Sequence, residues 1–264
     1  MYAFEYAKPG SSAEAVAIAD DETRYLAGGQ SLVQSMRLRL ASASRLIDIG
    51  AIPDLAGIRV DGSTVRIGAM TTHAAVAASA EVRRAIPALA ELAGGIGDPM
   101  VRNMGTIGGS LANADPAACY PAGVLGLGAS IQTDRREIAA DDFFRGLYET
   151  ALEPGELITA ISFPTPQRAA YVKFKQPASR FALVGVMVSK GPAGVHAAVT
   201  GAKSRAYRCA EIEAALSQDF SAAALDKVSV PTTDINADLH ASSEYRAAMI
   251  VVMARRAVAA ALAR

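Results

Sequence analysis

Two glycine-paired loops are the segments best suited to hold a reacting group. The first is Ala27-Gly28-Gly29-Gln30-Ser31, followed by Leu32. Paired glycines after a strand let another molecule approach the backbone, and successive N–H groups there form an anion-binding nest. A helix starting near Ser31 adds the positive end of its dipole. The same residues also read as a tight strand–helix turn. The second loop is Gly105-Thr106-Ile107-Gly108-Gly109-Ser110, preceded by Asp98-Pro99-Met100-Val101-Arg102-Asn103. It offers two hydroxyls and the side-chain amides of Asn103 and Asn113. Arg102 reads either as a phosphate ligand or as an ordinary solvated arginine.

Neither loop matches a tightly defined nucleotide motif. Gly95-Ile96-Gly97 has Met100 where GxGxxG needs its third glycine, and Gly201-Ala202-Lys203-Ser204 has the tail of a P-loop without the loop. There is no GxSxG elbow. Two diglycine loops on two subdomains are instead suited to cradle the two halves of a pyrophosphate, with a dinucleotide in the cleft between them.

The remaining reactive residues exclude other chemistry. Cys119 and Cys209 are the only cysteines, and an iron–sulfur cluster takes four. His73, His196 and His240 show no metal-binding spacing. Redox or group-transfer chemistry therefore depends on an organic cofactor or on another chain. The 264 residues carry 26 basic and 26 acidic side chains, so nothing pulls the chain toward nucleic acid. No apolar run reaches membrane-spanning length. Met1 to Pro9 mixes aromatic and charged residues, unlike a signal peptide. The expectation is a cytosolic protein.

The elements that position these loops read as short and numerous. Alanine is about a fifth of the chain. A helix from Ser11-Ser12 to Asp20, a strand at Thr23–Ala27, a helix at Leu32–Leu40 capped by Ser31 and a strand at Arg45–Ile49 form a βαβ-like unit. Asp61-Gly62 turns a hairpin between Ile58–Val60 and Val65–Ala69. Thr72 caps helical sequence that breaks at Ser79-Ala80 and near Pro87 and ends at Gly94-Gly95. Ile96–Asn113 reads as loop. A helix at Ala117–Leu127 leads to a strand at Ala129–Thr133, and more strand sequence surrounds Leu157–Phe163. Beyond Pro164 and Pro166, three strands (Ala170–Phe174, Phe181–Ser189, Val195–Thr200) precede helices at Arg208–Leu216 and Glu244–Ala263. Runs of strands followed by helices predict an α+β protein.

The segments AGGQSLVQSMRLRL (Ala27–Leu40), IGDPMVRNMGTIGGSLANADPAACYPA (Ile96–Ala122), PGELITAISFP (Pro154–Pro164) and YVKFKQPASRFALVGV (Tyr171–Val186) occur in this order. With them the sequence resembles the FAD-binding medium subunits of molybdenum hydroxylases, the carbon monoxide dehydrogenase and xanthine dehydrogenase-like enzymes. The resemblance covers essentially the whole chain. It implies an FAD-binding domain over residues 1–163, of the vanillyl-alcohol-oxidase-like kind, with subdomains at about 1–55 and 56–163. A smaller α+β domain over 164–264 with a three-stranded antiparallel sheet follows.

By resemblance, Ala27, Gly28, Gly29, Gln30, Ser31 and Leu32 line the FAD pyrophosphate from one side. Thr106, Ile107, Gly108, Gly109 and Ser110 line it from the other. Ile96 and Ile158 pack near the flavin ring, and Lys173 lies near its polar edge. Cys119 stands where the family usually has a hydrogen-bonding aspartate. Either Asp115 takes over that role or the position only packs. Gln30 stands where histidine or asparagine is frequent.

The implied role is electron transfer, with no catalytic acid or base and no metal in this chain. A large partner would carry molybdenum-pterin, and a small partner two [2Fe–2S] clusters. FAD here would pass electrons to an external acceptor, within a dimer of heterotrimers. The alternatives are a self-sufficient flavin oxidase or reductase, and an interaction subunit without cofactor.

Overall fold

The computed structural model describes all 264 residues and has mixed α and β architecture. Strands β1 (Glu5–Ala7), β2 (Thr23–Leu26) and β3 (Arg45–Asp48) form a parallel sheet in the order β1-β3-β2. Helix α1 (Ser12–Ala17) connects β1 to β2, and α2 (Leu32–Arg37) connects β2 to β3. The expected βαβ unit is therefore present, and Glu5–Ala7 adds a strand that sequence reading did not assign. Its alternation of exposed aromatic and charged residues hides it, because neither face is buried.

The second sheet is antiparallel. It orders β4 (Ile58–Asp61), β5 (Thr64–Gly68), β10 (Ile158–Pro164), β6 (Ser130–Thr133) and β7 (Glu137–Ala139) as β4-β5-β10-β6-β7. Asp61 pairs with Thr64 across the hairpin turn, where Gly62 has positive φ. Helices α3 (His73–Ala78), α4 (Ala80–Ala85) and α5 (Pro87–Gly94) follow β5. Thr72 and Ser79 accept from Ala75 N and Val82 N, so the expected caps and the break at Ser79 are both realised.

The stretch read as loop contains two short helices, α6 (Pro99–Met104) and α7 (Ile107–Asn113). Asp98 Oδ1 accepts from Val101 N, and Thr106 Oγ1 accepts from Gly109 N. Glycine-rich composition argued for a loop, but these two caps start helices within it. Helix α8 (Cys119–Gly126) is wholly buried. A short helix α9 (Ala140–Phe143) and a small hairpin, β8 (Phe144–Gly146) with β9 (Glu149–Thr150), complete this part.

The third sheet is antiparallel, with β11 (Arg168–Lys175), β12 (Ala182–Gly191), β13 (Gly194–Thr200) and β14 (Tyr207–Arg208) in chain order. The three expected strands are there. A fourth, two residues long, corrects the three-stranded expectation; a strand that short carries no alternation to read. Helices α10 (Ala210–Gln218) and α11 (Ser243–Leu262) close the chain. Strand alternation divides the packing. Val184, Val186 and Val188 join the apolar cluster of α10 and α11, while Met187 and Ala198 join the cluster around α5, α7 and α8. The loop before α8 hangs on this sheet: Gly201 N donates to Pro116 O (2.7 Å), and Thr200 Oγ1 to Pro116 O and Ala118 O (2.7 Å each). Ser189 Oγ donates to Gly126 O at 2.6 Å. These bonds fix Cys119 at the N-terminus of α8 against β11.

Candidate functional site

The two glycine loops, distant in sequence, touch. A Cβ on Gly28 would overlap the backbone of Met104 and Gly105, and one on Gly109 would sit 3.6 Å from Ala27 Cβ. Gly108 likewise has no room for a side chain, since Ala69 Cβ would be 2.6 Å away. Both glycines are thus required for backbone packing, beyond any approach of a ligand.

The loops differ in what they leave free. The backbone N–H groups of Gly28, Gly29, Gln30, Ser31 and Leu32 donate to no group of the chain. Gly29 has φ +70°, which turns successive amides to one side. Ser31 stands at the N-cap of α2 but makes no capping bond, so its hydroxyl is also free. Gln30 folds back, donating from Nε2 to Gly28 O at 3.3 Å. An exposed run of unpaired donors fits a polyanion such as a pyrophosphate.

The second loop has spent its amides. Ile107 N donates to Thr71 O (3.1 Å), Gly108 N to Ala69 O (2.8 Å), Gly109 N to Thr106 Oγ1 (3.1 Å) and Ser110 N to Thr106 O (3.0 Å). Ile107 is fully buried in the core. This loop therefore acts as a wall, and what it offers a ligand is the hydroxyl of Ser110. Arg102 is engaged too. Its Nη1 donates to Ile96 O at 3.0 Å and to Gly97 O at 3.4 Å, so it serves backbone carbonyls rather than a phosphate.

Between the loops lies a small cleft of about 70 Å³, lined by Ala27, Gly108, Gly109 and Ile158 together with Tyr25 and Glu156. Tyr25 and Glu156 were not singled out from sequence. Tyr25 donates to Gly155 O at 2.9 Å and ties the parallel sheet to the loop before β10. Burial, then the nearby Asp134 carboxylate, push its phenol up to about 12. Glu156 accepts from Arg136 Nε (3.0 Å) and Nη2 (2.9 Å), from Thr133 Oγ1 (2.8 Å) and from Glu153 N (2.8 Å). Those bonds, led by Arg136, hold its carboxyl at about 2. A larger open depression of about 380 Å³ around Ala56, Met70 and Ser79 contains neither glycine pair.

Lys173 and Cys119 meet at a second place, where β11 faces α8. Lys173 Nζ donates to Gly95 O (2.8 Å), Arg180 O (3.0 Å) and Cys119 Sγ (3.3 Å). Ile96 adjoins this junction and packs on the large apolar cluster. All three ammonium donors are engaged within the chain. Asp115 is bound elsewhere, accepting from Ala117 N (2.8 Å) and Tyr148 Oη (3.4 Å). His73 sits beneath the second loop, 5% exposed and neutral, because burial and then Arg102 lower its pKa to about 4. No helix is long and apolar enough to cross a membrane.

The family described as the FAD binding domain in molybdopterin dehydrogenase matches residues 2–166. The chain is 39% identical to the carbon monoxide dehydrogenase medium chain of Afipia carboxidovorans, over 99% of this chain and 97% of that one. It is 34% identical to the nicotine 6-hydroxylase medium subunit of Paenarthrobacter nicotinovorans, over 99% and 98%. It superposes on a chain of reconstituted CO dehydrogenase from Oligotropha carboxidovorans with a TM-score of 0.91 and 37% identity, covering 100% and 99% of the two chains. With its sequence, its fold and its unpaired loop amides in agreement, this chain belongs to the FAD-binding domain family of the molybdopterin dehydrogenases.

Proposed function

We propose that this chain is the FAD-carrying electron-transfer subunit of a molybdenum hydroxylase complex. The observation that carries the proposal is the run of five unpaired amides from Gly28 to Leu32, beside the Ser31 hydroxyl and the cleft under Gly109. These groups would receive the pyrophosphate, with the Ser110 hydroxyl facing them. FAD, when bound, accepts electrons singly and releases them to a one- or two-electron acceptor.

The chain's own groups bind and orient. Gly28 keeps the two loops in contact, Gly108 seats the second loop against Ala69, and Tyr25 and Glu156 hold the cleft walls together. Ile158 offers an apolar surface in the cleft, and Ile96 another at the junction with β11. Lys173 presents a fixed positive charge there. To touch a flavin it would exchange one of its three present partners.

With two cysteines in separate cores, the chain has no cluster of its own, so electrons arrive from a partner. The proposed partners are an iron–sulfur subunit and a molybdopterin subunit in a dimer of heterotrimers, since the relatives bear the names of medium chains and medium subunits. We place the end of the FAD domain at Phe163, consistent with a family match over 2–166 and with the separate apolar cluster of α10 and α11.

Adding FAD to the purified chain, removing the excess and recording the visible spectrum tests the proposal. Bound flavin absorbance is expected, with reduction by organic substrate only when the partner subunits are present. A chain that retains no flavin overturns the proposal. Direct reduction of the isolated chain by substrate would make it a self-sufficient oxidase.

A further inference from the structure

The two cysteines sit in opposite electrostatic surroundings. Cys209 Sγ lies 3.3 Å from the Glu211 carboxylate in the α10–α11 core, and burial, then that neighbour, push its thiol up to about 12. Cys119 lies 3.3 Å from the Lys173 ammonium, and no carboxylate lies within ion-pair distance of that lysine.

The surroundings of Cys119 have more donors than acceptors. Lys173 spends two of its N–H groups on the Gly95 and Arg180 carbonyls and points the third at a thiol, which is a weak acceptor. The hydroxyl of Tyr171, two residues along β11, is completely buried, and the only acceptor beside it is the weakly accepting Cys119 sulfur. It lies against Cys119, and burial together with that sulfur raises the phenol's pKa. A buried hydroxyl whose one acceptor is a sulfur carries a poorly compensated desolvation cost. The geometry thus brings a cation and an orphan hydroxyl to one sulfur that satisfies neither.

We propose that Cys119 is a hydroperoxide-sensitive oxidation site, whose sulfenate oxygen is received by the Lys173 ammonium and the Tyr171 hydroxyl. The Cys119 sulfur attacks one peroxide oxygen, the S–O bond forms as the O–O bond breaks, and the other oxygen takes up the thiol proton and leaves as water from hydrogen peroxide or as an alcohol from an organic hydroperoxide. Sulfur loses two electrons and the peroxide gains them. Lys173, 3.3 Å from the sulfur, stabilises the sulfenate once it forms. The new oxygen supplies Tyr171 with a stronger acceptor than the sulfur. Cys209 is too distant in the fold to resolve the product as a disulfide, since it belongs to a different core cluster. Cys119 is 5% exposed, and a peroxide would reach it past Lys173 and the neighbouring turn, exposed from Pro177 to Phe181.

The test treats the full-length folded chain with dilute hydrogen peroxide and a 1,3-diketone that traps sulfenic acids, then maps adducts by peptide mass spectrometry. The expected result is labelling of Cys119 at least about tenfold faster than Cys209, a difference that disappears after denaturation in urea. Lys173→Met should slow Cys119 labelling about tenfold, and Tyr171→Phe should shorten the sulfenate's lifetime by favouring further oxidation. Equal labelling of the two cysteines in the folded chain overturns the proposal, whichever variants fold. So does labelling of Cys119 that neither variant alters.

Discussion

The α-carbon of Gly28 faces the carbonyl oxygen of Met104 with no room for a methyl group between them. This contact locks the loop after β2 to the end of α6 and sets the spacing of the cleft. Gly28→Ala should therefore destabilise the whole chain by about 3 kcal/mol or more, because backbone rather than a flexible side chain would have to move. Gly10→Ala is the control, since its Cβ would meet only Glu14 Oε2 at 3.6 Å. Thermal melting of the two variants checks this. Equal melting temperatures would remove the packing role assigned to Gly28.

Acid sensitivity should follow two buried groups. His73 is held neutral with a pKa of about 4, below its ordinary 6.5, so it contributes stability above 6.5 that is lost as pH falls toward 4. Glu156, at about 2 against an ordinary 4.5, contributes stability above 4.5 that is lost as pH falls toward 2. Urea midpoints measured across this range should fall in both windows. Glu156→Gln should flatten only the lower one, and at neutral pH it should cost about 1–3 kcal/mol by leaving Arg136 only the more distant Glu153 carboxylate, at 3.6 Å. A Glu156→Gln profile parallel to wild type would show that the network is not the acid-sensitive element.

Lys173→Met should loosen the junction between α8 and β11. It leaves the Gly95 and Arg180 carbonyls without their donor, at a cost of about 1–2 kcal/mol. Amide exchange at the Gln176–Phe181 turn should accelerate, while exchange in the parallel sheet stays unchanged. Uniform acceleration throughout the chain would point to global destabilisation instead.

Much of this arrangement was legible in the sequence. The glycine pairs, the Asp61-Gly62 hairpin and the caps at Thr72 and Ser79 rest on local chemistry, and each stands where expected. What was hidden depends on contacts across the fold. Helices α6 and α7 lie in glycine-rich sequence, and only their caps, Asp98 and Thr106, announce them. Arg102 looked free for phosphate because its carbonyl partners, Ile96 and Gly97, come from a turn that sequence does not reveal. The unequal state of the two loops was invisible for the same reason. Ala69 and Thr71, which consume the amides of Gly108 and Ile107, lie in the turn just after β5. Glu156 and Tyr25 passed unnoticed because each matters through partners more than fifteen residues away.

The most direct measurement is an equilibrium FAD titration of the wild-type chain beside Ser31→Asp. Ser31 makes no capping bond, so replacing it removes none from α2, and the melting temperature should be preserved. It also places a negative charge among the free amides from Gly28 to Leu32. The expected result is one FAD bound per wild-type chain and an affinity weaker by about tenfold or more in Ser31→Asp, equivalent to about 1.4 kcal/mol. Unchanged FAD affinity in a folded Ser31→Asp variant would contradict the assignment of this loop to the pyrophosphate.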